Sequence, residues 1–88
     1  MKIKKDYILR EVAGEFIVVP VGSNAVDNNS IMIMTESGAA IWRCIEENYD
    51  EAGIVGYLLD NYDVDEATAQ ADLQEFLQQL RDANLLEG

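Results

Sequence analysis

Residues 34–42 read Met-Thr-Glu-Ser-Gly-Ala-Ala-Ile-Trp, and at this stretch the hydrophobic pattern of the chain changes. Before it, apolar and β-branched residues come in short runs, which favour strands. After it, apolar residues recur every three or four positions, which is the spacing of one helix face. Thr35 stands at the change and has the side chain of a helix N-cap. The stretch therefore predicts the junction between a last strand and a first helix.

Three strands are predicted before this junction. The first two are Tyr7–Val12 and Phe16–Val21, and Pro20 is predicted at a strand end or an unpaired position because it cannot donate to a ladder. Residues 22–29 are rich in turn formers and predict a hairpin connection. Ile31–Met34 is wholly apolar, which predicts a strand covered on both faces. Three strands with short connections indicate a small antiparallel sheet.

Three helices are predicted after the junction. Asp50 and Asp65 are placed to cap the second and third helices, as Thr35 is for the first. The order of elements is βββααα, so the predicted fold class is α+β, a winged-helix-like single domain over residues 1–88. The apolar stripes that face the core are, in chain order, Gly38, Ile41, Trp42 and Ile45; Ile54, Val55, Leu58, Leu59 and Tyr62; and Ala69, Leu73, Phe76, Leu77 and Leu80.

The charge of the chain is strongly acidic and unevenly placed. The formal net charge is −11, and residues 36–88 carry all of it, with thirteen acids against Arg43 and Arg81. Such a surface repels phosphate backbones, so nucleic acid is disfavoured as a partner, and a cationic peptide or protein surface is favoured. Solubility explains the acidic residues equally well, because a net charge far from zero keeps a small domain in solution. No apolar run is long enough to span a membrane, and with no secretory signal and the single Cys44 the expected compartment is the cytoplasm.

Several residues and motifs that commonly carry catalysis are missing. The chain has no histidine, and Cys44 therefore has no histidine partner that would activate it as a nucleophile. Gly53 and Gly56 lie inside a helical stripe with no lysine after them, so they do not form a phosphate loop. Residues 60–66 resemble a calcium loop but lack its glycine and its final glutamate. The expectation is a protein that is not an enzyme and holds no metal and no cofactor.

Residues 34–42 also resemble a known family. Its motif at the strand–helix junction is Leu-Asn-x-Thr/Ser-Gly/Ala-x-x-Ile-Trp, and here Met34 and Thr35 replace the first two residues. On this motif, on later segments as far as residues 84–86 and on the order of elements, the chain resembles the family of the coenzyme PQQ synthesis protein D over roughly residues 5–86. The later segments that carry the resemblance are residues 50–55, 62–64 and 72–80.

The resemblance implies a peptide-binding function. Members of the family recognise the leader segment of a ribosomally made precursor peptide and present it to a modifying enzyme, which in several pathways is a radical S-adenosylmethionine maturase. The leader adds as a strand beside the third strand and lies against the third helix, a mode in which main-chain hydrogen bonds give affinity. The acids of the helical half imply a preferred peptide different from those of other members. The residues implied are Ile31, Met32, Ile33 and Met34 on the strand, and Asp72, Leu73, Phe76 and Leu77 on the helix.

Two other functions remain open at this stage. The helical arrangement also permits a winged-helix nucleic-acid-binding or regulatory protein, although no predicted helix carries the Arg/Lys cluster that phosphate contacts need. The second alternative is a regulatory subunit of a larger enzyme assembly. The residues implied by the resemblance also have a purely structural explanation, because Leu73, Phe76 and Leu77 belong to the core stripe of their helix and a strand buries about half its side chains in any case.

Overall fold

A computed structural model describes residues 2–21 and 32–87. The described part confirms the α+β fold, with three antiparallel strands followed by three helices. The elements in chain order are β1 (Lys2–Ile3), β2 (Tyr7–Val12), β3 (Glu15–Pro20), β4 (Met32–Met34), α1 (Glu36–Glu46), α2 (Glu51–Asn61), α3 (Glu66–Asp82) and β5 (Leu86–Glu87). The predicted hairpin connection at residues 22–29 and the first residue of the predicted third strand, Ile31, lie outside the described residues.

The main sheet has the strand order β2-β3-β4. Strands β2 and β3 form a hairpin in which Val12 pairs with Glu15, and the two residues between them, Ala13 and Gly14, have φ angles of 52° and 82°. Positive φ at both central positions is what a two-residue hairpin turn of the favoured hand requires. Pro20 ends β3, where a missing N–H costs least, as predicted. Strand β4 pairs with β3 alone in the described part of the chain, and so it is an edge of this sheet.

Strand β4 corrects one expectation from the sequence. Its wholly apolar run predicted cover on both faces, but the side chain of Ile33 is 70% exposed. Its neighbours Met32 and Met34 point to the opposite face, where Met34 is buried and Met32 packs against the core. Alternation along a strand explains the difference, because a strand with one solvent-facing side needs apolar residues only at every second position. The apolar residue at Ile33 is therefore not explained by the core.

The three helix starts follow the predicted caps. The Thr35 hydroxyl accepts from the backbone N–H of Gly38 at 3.1 Å, and the Asp50 carboxylate accepts from that of Gly53 at 2.7 Å. Asp65 accepts from the backbone N–H of Thr68 at 2.7 Å, and this bond lowers the pKa of the Asp65 carboxyl. Each cap satisfies one of the N–H groups that a helix start leaves without an intrahelical partner.

A second, two-stranded sheet was not predicted from the sequence. Strand β1 pairs with β5 in antiparallel fashion, and the backbone N–H of Lys4 donates to the carbonyl of Leu85 at 2.8 Å. The Lys4 ammonium also donates to the side-chain oxygen of Asn84. These bonds join segments some eighty residues apart in sequence, so they tie the segment after α3 to the segment before β2.

One core joins the helices to the inner face of the main sheet. Trp42 on α1 is at its centre with an exposed fraction of 0%, and it is packed together with Ile41, Ile45 and Val18. Within the described residues, the Trp42 Nε1–H has no hydrogen-bond partner. The residue therefore contributes apolar area and volume, not a polar link.

Two glycines provide a test of how tightly α1 and α3 approach each other. A Cβ atom at Gly38 would lie 3.1 Å from Cε1 of Phe76, whereas a Cβ atom at Gly56 on α2 would meet nothing within 4 Å. Gly56→Ala is expected to raise the free energy of unfolding by about 1 kcal/mol through helix propensity. Gly38→Ala is expected to lose that gain, because the Phe76 ring must move. Urea denaturation of both variants is the measurement, and equal gains would contradict the close approach.

Candidate functional site

A groove runs between the edge strand β4 and helix α3. Its volume is about 350 Å³, and residues of α1 line it between the two walls. Gly38 and Phe76 both line the groove, and a Cβ atom at Gly38 would lie 3.1 Å from Cε1 of Phe76, so α1 and α3 approach closely here. The lining residues are Ile33, Met34, Thr35, Ser37, Gly38, Ile41, Asp72, Glu75, Phe76 and Gln79.

The groove has an apolar floor and a polar rim. Met34, Ile41 and Phe76 are buried residues whose edges reach the groove. On the rim, Asp72, Glu75 and Gln79 are exposed along one face of α3. Thr35 and Ser37 line the end where α1 begins, and their hydroxyl oxygens are 3.3 Å apart. An apolar floor with a few polar groups around it is the usual make-up of a ligand site.

The strand wall adds a main-chain surface to the groove. Every second residue of an antiparallel edge strand directs its N–H and C=O away from the sheet. In the described part of the chain β4 has no neighbour on that side, so its outward groups are free to pair with an added strand. The exposed side chain of Ile33 lies at the same edge. The groove therefore offers backbone pairing and side-chain pockets together.

The structure brings some of the residues implied by the resemblance together in the groove and places others in the core. Ile33, Met34, Asp72 and Phe76 line the groove together, and Met32 lies half-buried on the inner face of β4. Leu73 and Leu77 are 1% and 0% exposed and belong to the core. Ile31 lies outside the described residues. Sequence reasoning passed over six lining residues, although helical spacing from Asp72 and Phe76 would have found Glu75 and Gln79. The six are Thr35, Ser37, Gly38, Ile41, Glu75 and Gln79.

A second hollow lies on the other side of α1 and is no smaller. Its volume is about 430 Å³, and it is lined partly by Tyr57, Tyr62 and Cys44. The Arg43 guanidinium carbon lies 5.6 Å from the centre of the Phe16 ring there, a cation–π distance. Volume does not distinguish the two hollows. The groove at β4 is distinguished by the strand edge that forms its wall.

Two potentially nucleophilic side chains near the second hollow are held in their protonated, less reactive forms. Burial first, and Glu47 second, raise the pKa of the Cys44 thiol, which disfavours the reactive thiolate. Burial likewise raises the pKa of the Tyr62 hydroxyl, with Glu36 as the next contributor. Among residues 2–21 and 32–87, no three side chains of the metal-binding types come together. What the groove offers is binding.

A nucleic-acid interface is also disfavoured by the charges in place. Helix α3 presents Glu66, Asp72, Glu75 and Asp82 against the single base Arg81. Phosphate contacts depend on Lys and Arg, so this helix would repel a nucleic-acid backbone. None of the helices in the described part of the chain has the length and apolar character of a membrane span.

Comparison with known proteins places these features in a family. The family model described as coenzyme PQQ synthesis protein D matches residues 15–86. Among solved structures, TbiB1 in complex with the TbiA(beta) leader peptide is similar with a TM-score of 0.82 and 27% identity, over 100% of this chain and 96% of that chain. Lasso peptide synthetase B1 complexed with the leader peptide has a TM-score of 0.81 over 99% of this chain and 96% of that chain, and at 11% identity it supports the fold alone. Among curated proteins there is no significant sequence match.

Proposed function

Because this chain belongs to the coenzyme PQQ synthesis protein D family, we propose that it binds the leader segment of a ribosomally made precursor peptide and presents the peptide to a modifying enzyme. The observation that carries this function is the groove whose one wall is the free edge of β4 in the described part of the chain. The similar protein TbiB1 was solved with a leader peptide bound, which supports the same kind of ligand here.

The leader binds by strand addition. Its backbone pairs with the outward N–H and C=O groups of β4, which gives affinity along the whole strand. Its alternate side chains enter the groove above Met34, Ile41 and Phe76, and the others lie beside Ile33. Two methionines on β4 suit this role, because their unbranched side chains adapt to apolar partners of different shape. The surface proposed for the leader is therefore residues 32–34 of β4 with Asp72, Glu75, Phe76 and Gln79 of α3, and it leaves Leu73 and Leu77 to the core.

The protein itself performs no chemistry in this proposal. The modifying enzyme, in several pathways of the family a radical S-adenosylmethionine maturase, supplies the reaction, and the protein supplies the precursor in an ordered state. Because the precursor is made on ribosomes, the complex forms in the cytoplasm. Holding the leader raises the effective concentration of the core peptide at the enzyme, which is how a binding domain accelerates a reaction it does not catalyse.

The binding surface is tested by amide chemical shifts. On titration with the leader of the precursor encoded beside this protein's gene, shifts are expected at residues 32–34 and 69–80, and the middle of α2 is expected to stay unchanged. The physical reason is that strand addition changes the hydrogen bonding of β4 directly and the surroundings of α3 at the groove. Shifts centred on residues 50–61 would place the peptide elsewhere and overturn the proposed surface.

The presenting role is tested by reconstitution of the modification reaction with the maturase of the same pathway. The full-length precursor is expected to be modified faster or more completely with the protein present than without it. The control is a precursor without its leader, for which the protein should make no difference. If the maturase alone modifies the full-length precursor equally well, the presenting role is wrong, whatever the peptide affinity.

A further inference from the structure

The two walls of the groove differ in charge. The α3 wall carries the exposed carboxylates of Asp72 and Glu75, followed by the uncharged Gln79. The β4 wall and the floor are apolar apart from the hydroxyls of Thr35 and Ser37. Among the lining residues of the described chain there is no lysine or arginine to neutralise the two acids. A bound peptide therefore meets uncompensated negative charge along one side only.

The spacing of these groups matches that of a strand. Phe76 and Asp72 are one helical turn apart, a rise of about 6 Å along the axis of α3. Side chains two residues apart on a strand lie on the same face, about 7 Å from each other. For a bound strand that runs along α3 with one side chain against Phe76, the next side chain on the same face is therefore within reach of Asp72, with Glu75 between the two helix positions.

Resting on the proposed leader-binding function, we propose that the groove selects a leader segment in which an apolar residue and a lysine or arginine stand two positions apart. The apolar side chain is buried against Phe76, Ile41 and Met34. The basic side chain runs its methylene stem over the groove and places its charge at Asp72 and Glu75. A peptide with Asp or Glu at that position is rejected by repulsion, and the net charge of −11 strengthens the rejection.

The selection is specific to the acids of this groove. Other exposed acids, such as Asp60 and Asp63, lie at the end of α2 and after it, and they do not line the groove. They contribute to the long-range field that attracts any cationic peptide, an effect that salt screens. Asp72 and Glu75 act at a defined peptide position. A variant pair with the same change in charge at the two places separates these effects.

The probe is a displayed library of random twelve-residue peptides, selected in parallel against three forms of the full chain. The forms are the wild type, the groove variant Asp72→Lys/Glu75→Lys and the matched control Asp60→Lys/Asp63→Lys. The wild type and the control are expected to enrich peptides with an apolar residue and a Lys or Arg two positions away. The groove variant is expected to enrich Asp or Glu at that second position. The consensus peptide, measured by titration, is expected to bind the groove variant about tenfold more weakly than the control.

The outcomes distinguish this inference from the function on which it rests. Enrichment of apolar residues alone, by both wild type and groove variant, would overturn the charge selection and leave leader binding in place. If Lys and Arg are lost from the enriched peptides equally in the groove variant and in the control, the long-range electrostatic field of the whole protein explains their enrichment. This result would also overturn the proposed selection by the groove. If no form enriches any motif, the peptide-binding function itself fails, and the selection fails with it. Far-UV spectra of the three forms show that each is folded, which is expected because the four replaced residues are exposed.

Discussion

Replacing Trp42 by alanine is expected to remove a large part of the protein's free energy of unfolding. Trp42 is fully buried at the centre of the only core that the described residues form. Removing a buried tryptophan side chain costs about 3–5 kcal/mol through lost apolar burial and the cavity left behind. A domain of this size has a total stability of about 4–13 kcal/mol, so the loss takes a large part of it.

The matched variant is Trp42→Phe. It keeps an aromatic ring in the core, and it loses no hydrogen bond because the indole N–H has no partner in the described residues. Its expected cost is about 1–2 kcal/mol. Urea denaturation is followed by far-UV circular dichroism, since Trp42 is the single tryptophan and its fluorescence is lost in both variants. An alanine variant with the wild-type midpoint and slope would show that Trp42 is not in the core.

Replacing Ile33 by proline is expected to weaken leader binding by about tenfold or more. Proline fixes φ near −65° and removes a backbone donor, so it distorts the strand that the leader must pair with. Each hydrogen bond lost contributes about 0.5–1.5 kcal/mol, and the distortion displaces its neighbours as well. The side chain itself is largely exposed, so its removal takes little from the core. The measurement is titration of the wild type and the variant with the same leader peptide.

The control at this position is Ile33→Thr. Threonine keeps the backbone N–H and favours strands, so leader affinity is expected to fall by no more than about threefold. The proline variant is compared only after its far-UV spectrum has matched that of the wild type. A natively folded Ile33→Pro variant that binds the leader with unchanged affinity would contradict strand addition at β4, and the leader would then have to bind through side chains alone.

The unexpected exposure of Ile33 shows that the sequence predicted the strand β4 but not which of its faces is covered. A run of apolar residues is the same in sequence whether a second protein layer covers the outer face of the strand or that face stays exposed beside a peptide-binding edge. The sequence therefore predicted the strand, and the resemblance to a family predicted that a partner covers its edge. The core stripe of α3 had the same ambiguity. Phe76 and Leu77 are adjacent apolar residues, yet in the tertiary structure Phe76 reaches the groove beside Gly38, whereas Leu77 is completely enclosed.

The amino-acid sequence by itself determined what depends on residues close together in the chain. The caps at Thr35, Asp50 and Asp65 each join groups three residues apart. The core stripes follow from the helical period except at Leu59, which was predicted in the stripe of α2 and is exposed. The uneven charge is likewise a property of composition. The tertiary structure alone decided the pairing of β1 with β5 and the position of Glu75 and Gln79 in the groove beside β4. These depend on how distant segments pack, because a contact across most of the chain forms only when the whole core forms, and no local pattern encodes it.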